Sequence, residues 1–306
     1  MVILHELASI ITDDDILWLV HGRIGEKLLC RPKYLNVRHK PMRLYSPIFR
    51  CEPIQTRFPR YDSSGIYAGL YLIEDSNVIE HRVFTDPMPL NCETSQKAHE
   101  LLKALHNCGL MPNSTGVIGS LLWGKAIDGF SDINLAIQGN QAYLRYLENC
   151  CSLPEVHFRS EAQWRSFYHR YCVSGISEDR FVELSRNNFQ QGMIRDIPFS
   201  IFHIRQELPE YDSMCGNSCT VSLVGEFLSE DASPGYFPIR GQFHTGGQTL
   251  TAVIWSRLWA PILPRHAILR ITGSVNDKQL IVNSNSAIQV LEVLTDEEIS
   301  SPCDLD

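Results

Sequence analysis

Hydrophobic and polar positions change texture twice along the chain. Up to about residue 90 the apolar positions come in short runs rich in β-branched and aromatic residues, ILWLVHGRI and GIYAGLYLIED, set between turn residues such as Asp62-Ser63-Ser64-Gly65. These predict strands; Arg43 to Arg60, with three prolines and no clean period, predicts irregular chain. From about 91 to 208 the periods alternate. Ala98, Leu101, Leu102 and Leu105 recur at helical spacing over Glu93 to Asn107, with Thr94 or Ser95 as the cap. VIGS and INLAI read as short strands, the second closed by Gly139. Asn140 to Leu153 predicts a helix with Tyr143, Leu144 and Leu147 on one side, and Glu161 to Cys172 predicts another. A further helix is predicted over Glu178 to Gln190, with Ser177 as cap and Gly192 as stop, before IPFSIFHI returns to a strand. From about 209 to 306 five short strands follow: CTVSLVGEFL, YFPIRGQFH, LTAVIWSRLW, AILRITGSV and KQLIVN. Strands of that number and length suit a small barrel or sandwich, a barrel of the oligonucleotide-binding type being one candidate. Thr295 to Asp306 is acidic and expected to be loose.

The fold class expected is therefore α+β in three parts. These are a β-rich domain over 1–90, a mixed sheet with flanking helices over 91–208, and a small β-barrel over 209–306.

Composition narrows the function classes. No apolar run approaches the roughly 18 residues that span a bilayer, and the N-terminus lacks the basic start of a secretory signal, so no membrane role and a cytoplasmic location are expected. Ten cysteines without such a signal are expected to stay reduced. Cys150 and Cys151 are adjacent and not expected to bridge each other; Cys215 and Cys219 lack a second pair at zinc-site spacing. A net charge of −8 argues against the chain as a whole binding nucleic acid. The charge is uneven, however. Ten basic residues between Arg23 and Arg60 face only Glu26 and Glu52, and Tyr34, Tyr45, Phe49, Phe58 and Tyr61 lie among them. Such mixing suits phosphate contact with base stacking, but the simpler reading is a solvated face paired with acids elsewhere.

The densest chemistry lies in GSLLWGKAIDGFSDINL, Gly119 to Leu135, where eleven residues separate Ser120 from Asp132. Acidic or amide side chains at i and i+2 on a strand share a face, so Asp132 and Asn134 point to one spot. A Gly-Ser turn leaving a neighbouring strand offers N–H groups and a hydroxyl to phosphate oxygens. GxSxG, HExxH, GxGxxG and the Walker lysine motif are absent from the sequence, and its histidines, His157, His169 and His244 among them, are scattered. Trp123, Trp164, Trp255 and Trp259 read as core or groove aromatics.

On Gly119, Ser120, the mid-spacer Gly124 and the Ser131-Asp132-Ile133-Asn134-Leu135 strand, the chain resembles the DNA polymerase beta-type nucleotidyltransferase superfamily. Its three-part layout, and the run SRNNFQQGMIRDIPFSIFHI, are similar to a group of archaeal nucleotidyltransferases with a C-terminal β-barrel. The resemblance implies transfer of a nucleoside monophosphate from a nucleoside triphosphate to an acceptor hydroxyl, with Mg²⁺ or Mn²⁺. The acceptor, a small molecule or RNA, is not named by the sequence. Gly119, Ser120 and Lys125 would hold phosphates, and Asp132 and Asn134 the metal. The departure is Asn134, where the family has a second carboxylate. A third family carboxylate comes from a later strand; IPFSIFHI has none on either face, leaving Asp196 just before it, or Asp128 in the spacer. The same residues support an alternative, a degenerate member that binds nucleotide or RNA without transfer.

Overall fold

The computed structural model describes residues 4–35, 42–43, 70–129, 131–170, 173–211, 219–230, 235–256, 258–276, 278–282 and 287–294. With 22% helix and 43% strand, the protein is mixed α+β. The expected irregular chain over 43–60, the Asp62–Gly65 turn and the loose tail from Thr295 lie outside the described residues, save Arg43.

Three sheets follow one another along the chain. The first is built from β1 (Ser9–Thr12), β2 (Ile16–Ile24), β3 (Lys27–Leu35), β4 (Met42–Arg43), β5 (Tyr71–Glu74) and β6 (Val78–Arg82), in the order β4-β3-β2-β1-β6 with β5 also on β3. ILWLVHGRI is β2, buried along nearly its whole length rather than on alternate residues. Trp18, its third residue, is fully buried and lies edge-on to Tyr71 at 5.6 Å, with its indole N–H donated to Thr12 Oγ1 at 2.9 Å.

The second sheet has the order β7-β8-β11-β10-β9. Its strands are β7 (Thr115–Val117), β8 (Ile133–Gln138), β9 (Val156–Phe158), β10 (Gln191–Ile194) and β11 (Ile197–Ile204). β7 runs antiparallel to β8, β8 parallel to β11, and β10 antiparallel to both β11 and β9. One face carries Ile133, Leu135, Ile137, Phe199 and Ile201 and packs against α1 (Glu93–Asn107) and α2 (Asn140–Asn149). α1 has the bounds its period predicts, but the residue at its cap position is Cys92, whose N–H donates to Ser95 Oγ at 3.1 Å and whose carbonyl accepts from that hydroxyl at 2.7 Å, rather than Thr94 or Ser95. α2 is shorter than expected. It buries Tyr143 and Tyr146 and leaves Leu144 46% exposed, so the inward face is one step round from the expected one. A 3₁₀ turn, Cys150–Ser152, follows; Cys150 and Cys151 are unbridged, their sulfurs 4.0 Å apart.

The third sheet closes on itself. β12 (Cys219–Ser229), β13 (Ile239–Thr245), β14 (Gln248–Ile254), β16 (Gln279–Val282) and β15 (His266–Asn276) pair in that order, and β15 returns to β12, making a five-strand closed barrel. β14 and β16 form its one parallel pair. A sixth strand, β17 (Ile288–Val293), lies against β15 outside the closure. Each of the five predicted segments contains most or part of one barrel strand, the third running on past the end of β14 at Ile254 into the turn that carries Trp259; β17 was not foreseen. The barrel interior holds Phe227, Phe243, Leu250, Ala252, Leu269 and Ile271, and Trp259, in the β14–β15 connection, joins them with no exposed surface.

By packing, the chain divides into two compact units: residues 1–158 with 189–215, and residues 159–188 with 216–306. The first holds the first two sheets. The second holds the barrel and a helix pair, α3 (Glu161–Arg170) and α4 (Glu178–Ser185), that leaves the chain between β9 and β10. Ser177 caps α4 as predicted, its hydroxyl accepting from Arg180 N–H at 3.4 Å. α4 stops at Ser185, well before Gly192, which is a β10 residue, because Gln190 already serves the sheet: its carbonyl accepts from Ile201 N–H at 2.7 Å.

Candidate functional site

The site begins where β7 ends. Val117 stands opposite Leu135, and Ile118 N–H bonds to Asn134 C=O at 2.9 Å. Continuing this register sets Ser120 opposite Asp132, but the ladder stops there. Gly119 takes a left-handed turn, φ +71°, and the chain winds through Ser120 to Lys125, tied by Lys125 N–H to Ser120 C=O at 2.8 Å and Gly124 N–H to Leu121 C=O at 3.0 Å. Glycine is needed at 119 for this backbone conformation. A Cβ there would meet nothing within 4 Å, so the space over the turn is open. Ser120 N–H, the next donor toward β8, has no main-chain acceptor among the described residues.

Asp132 enters β8 and Asn134 follows two residues on, both half-buried and on the face away from α1 and α2. Neither side chain, nor the hydroxyl of Ser120 nor the exposed ammonium of Lys125, is hydrogen-bonded to a described residue. The structure thus brings Gly119, Ser120, Asp132 and Asn134 to one end of two adjacent strands, with Lys125 on the same turn.

The two candidates for a third carboxylate are placed differently. Asp196 is exposed in the β10–β11 turn. By the β8–β11 register, in which Phe199 faces Ile133, Asp132 falls opposite Pro198, so Asp196 lies two residues further out, off the ladder. The turn is held by its neighbour, Arg195, at φ +52° and paired with Glu155 through two bonds of 2.7 and 2.9 Å. Asp128 is committed to α1. Its carboxylate accepts from Thr94 N–H at 2.8 Å, Glu93 N–H at 3.1 Å and Thr94 Oγ1 at 2.9 Å, ending the spacer as a cap for a helix that starts 35 residues earlier. The Thr94 N–H, then that of Glu93, holds the Asp128 carboxyl below the ordinary aspartate range. A carboxyl lowered in the folded state stabilises fully above its unfolded pKa and loses that contribution as pH falls through the folded one. Thermal unfolding of Asp128→Asn is therefore expected to show a lower midpoint than the parent at neutral pH, the gap closing as pH drops below the aspartate range. A gap unchanged down to strong acid would mean that the charge of Asp128 does not hold α1.

Three further groups meet the site without any signal in the spacing. Arg82, at the end of β6 and paired with Glu80 at 3.7 Å, donates to Leu122 C=O at 2.8 Å and lies over the Trp123 ring at 4.5 Å, pinning the turn. Ser200 on β11 stands in register with Asn134, and Gln191 on β10 with Ser200. Further along this face the sheet is closed: Ile118, Ala136 and Ile204 pack on Leu7 and Phe84. Phe84 crosses so closely that a Cβ on Gly116 would lie 1.9 Å from its carbonyl oxygen.

The donor set for a metal is one carboxylate, Asp132, and one amide oxygen, Asn134. Among the described residues no group of three or more His, Cys, Asp or Glu comes together. That does not fit a pair of cations held by protein ligands. It fits a single Mg²⁺ brought by a polyphosphate, because magnesium takes one or two protein carboxylates and fills its octahedron with phosphate oxygens and water.

Of the basic stretch, Arg23 and Lys27 are paired with Asp75 and Glu74 at 3.4 and 3.3 Å; Arg38, Lys40, Arg50, Arg57 and Arg60 lie outside the described residues. Of the CxxxC pair, Cys219 is exposed at the start of β12 and Cys215 lies outside the described residues. No described helix is long and apolar enough to cross a membrane. No family model, curated protein or solved structure matches the chain.

Proposed function

We propose that the first unit binds a nucleoside triphosphate as its magnesium complex, in a site of nucleotidyltransferase type. The observation that carries the reading is the pairing of an open, left-handed Gly-Ser turn with a lone uncommitted carboxylate on the adjoining strand. Ser120 N–H and hydroxyl and the Lys125 ammonium take phosphate oxygens. Asp132 and Asn134 take the cation, which neutralises phosphate charge that would otherwise repel Asp132. With one carboxylate where the family has two or three, the geometry favours binding over transfer.

Transfer of a nucleoside monophosphate to an acceptor hydroxyl is the second reading. It is favoured by β11 lying directly beside β8, on the side where the family's third acid-bearing strand is expected. Here that position holds Ser200 and Pro198. The barrel we read as of oligonucleotide-binding type, from its five strands closed in the order first, second, third, fifth, fourth. The outward positions of β13 and β14 hold Arg240, Gln242, His244, Thr249 and Thr251; Arg240 is paired with Glu230 at 3.6 Å, and the His244 imidazole is the one aromatic ring among these positions, so these two strands offer little base-stacking platform for RNA.

Calorimetric titration of each common ribonucleoside triphosphate, with Mg²⁺ and with chelator, tests the reading. Binding is expected with Mg²⁺ and to weaken at least about tenfold in Asp132→Ala, the loss of one charged ligand to the cation. No binding of any triphosphate, or affinity indifferent to both Mg²⁺ and Asp132, would falsify it. Pyrophosphate release in the same samples, abolished in Asp132→Ala, would establish transfer instead.

A further inference from the structure

The register of the strands beyond β8 indicates where the rest of such a ligand lies. Asn134, Ser200 and Gln191 stand directly opposite one another across β8, β11 and β10, and Pro198, Met193 and His157 form the next row across β11, β10 and β9. Side chains alternate between faces, so both rows look away from the core that holds Phe199, Ile201 and Ile194. Asn134, Ser200 and Gln191 are half-buried, and none of these side chains is hydrogen-bonded to a described residue. None of their polar atoms is sealed from water, so all three remain available to a ligand, and three in a row suit one polar ligand long enough to cross three strands.

We propose that the nucleoside part of the ligand lies across this row, its ribose at Ser200 and its base at Gln191, over a floor made by Pro198 and Met193. The proposal rests on the reading of the Gly119-Ser120 turn as the phosphate site. From β7 to β10 there are three strand spacings of about 4.8 Å, roughly 14 Å in all, comparable with an extended nucleoside triphosphate. The order of chemistry along that line matches the order of the ligand. Turn N–H and hydroxyl come first, for phosphate. A hydroxyl follows, which donates to and accepts from a ribose hydroxyl. Last is a carboxamide, whose adjacent donor and acceptor pair with the edge of a base. Ser200 and Gln191 are thereby specificity-determining residues, outside the motif that carries the phosphate.

The test compares inorganic tripolyphosphate, the four ribonucleoside triphosphates and their 2′-deoxy counterparts, all with Mg²⁺, on the full chain. At least one ribonucleoside triphosphate is expected to bind about tenfold or more tighter than tripolyphosphate, through two or more added hydrogen bonds. Ser200→Ala is expected to remove the preference for ribose over deoxyribose, and Gln191→Ala to narrow the spread among the four bases, each by about three- to tenfold, the net worth of one hydrogen bond. Both are expected to leave tripolyphosphate affinity unchanged. Should Gln191→Ala fail to fold by circular dichroism, Gln191→Glu serves the same end, because it exchanges a donor for an acceptor and is expected to reorder the base preference. The inference is overturned if nucleotides bind no tighter than tripolyphosphate, or if neither substitution alters base or sugar preference. If tripolyphosphate and nucleotides alike fail to bind, the phosphate reading falls, and this inference with it.

Discussion

Trp259→Ala is expected to lower the unfolding free energy by about 3–5 kcal/mol, the usual cost of removing a large aromatic from a well-packed interior. Trp259 has no exposed surface and packs among the residues that fill the barrel. Its main chain is as important as its ring: Trp259 N–H meets Ser256 Oγ at 3.3 Å, and its carbonyl accepts from Ile262 and Leu263 at 3.0 and 2.7 Å, so the ring is delivered by a tight turn that cannot easily follow it inward. The cavity left by alanine should therefore persist. Urea unfolding followed by circular dichroism measures it; a loss below about 1 kcal/mol would show that the site collapses freely, against the packing described.

Gly116→Val is expected to cost about 3 kcal/mol, at the upper end of ordinary overpacking, and to weaken nucleotide binding with it. The obstruction is backbone. The carbonyl oxygen and carbon of Phe84 would lie 1.9 and 2.6 Å from the new Cβ, so either β7 or the segment carrying Phe84 must move. That segment closes the face of the sheet on which Asp132 and Asn134 stand. Gly119→Ala, three residues away, is the informative comparison. Its Cβ has open space, and only the left-handed backbone is penalised, by roughly 1–2 kcal/mol. If the two substitutions cost the same, the close approach at Gly116 is not what holds that face.

What the sequence conveyed, and what it did not, divides along the range of the physical signal. α1 was legible to its ends because one helix turn repeats its pattern within four residues, and the barrel strands because turn residues punctuate them. The neighbourhood of Ser120 and Asp132 was legible because a short spacer between two strands leaves antiparallel pairing as the simplest connection. The carboxylate that accepts from the first N–H groups of α1 was not, because Asp128 arrives from far along the chain. α4 was drawn too long because helical spacing persists through Asn188 and Phe189, whereas Gln190 is claimed by β11. Ser200, Gln191 and Arg82 carried no local sign at all. They meet the site through the order and register of strands, and the order β7-β8-β11-β10-β9 is a property of the whole sheet.

The departure of α3 and α4 between β9 and β10 has a consequence for synthesis. Phe158 and Gly192 are partners on neighbouring strands, yet residues 159–188 between them belong to the other unit. A ribosome extruding this protein delivers three strands of the central sheet, then two helices with no barrel to rest on, and only afterwards the two strands that complete the sheet. The barrel that shelters the helices follows last. Neither body can be finished in vectorial order, so the nascent chain carries two unsealed apolar surfaces at once, which is the circumstance in which chaperones are engaged.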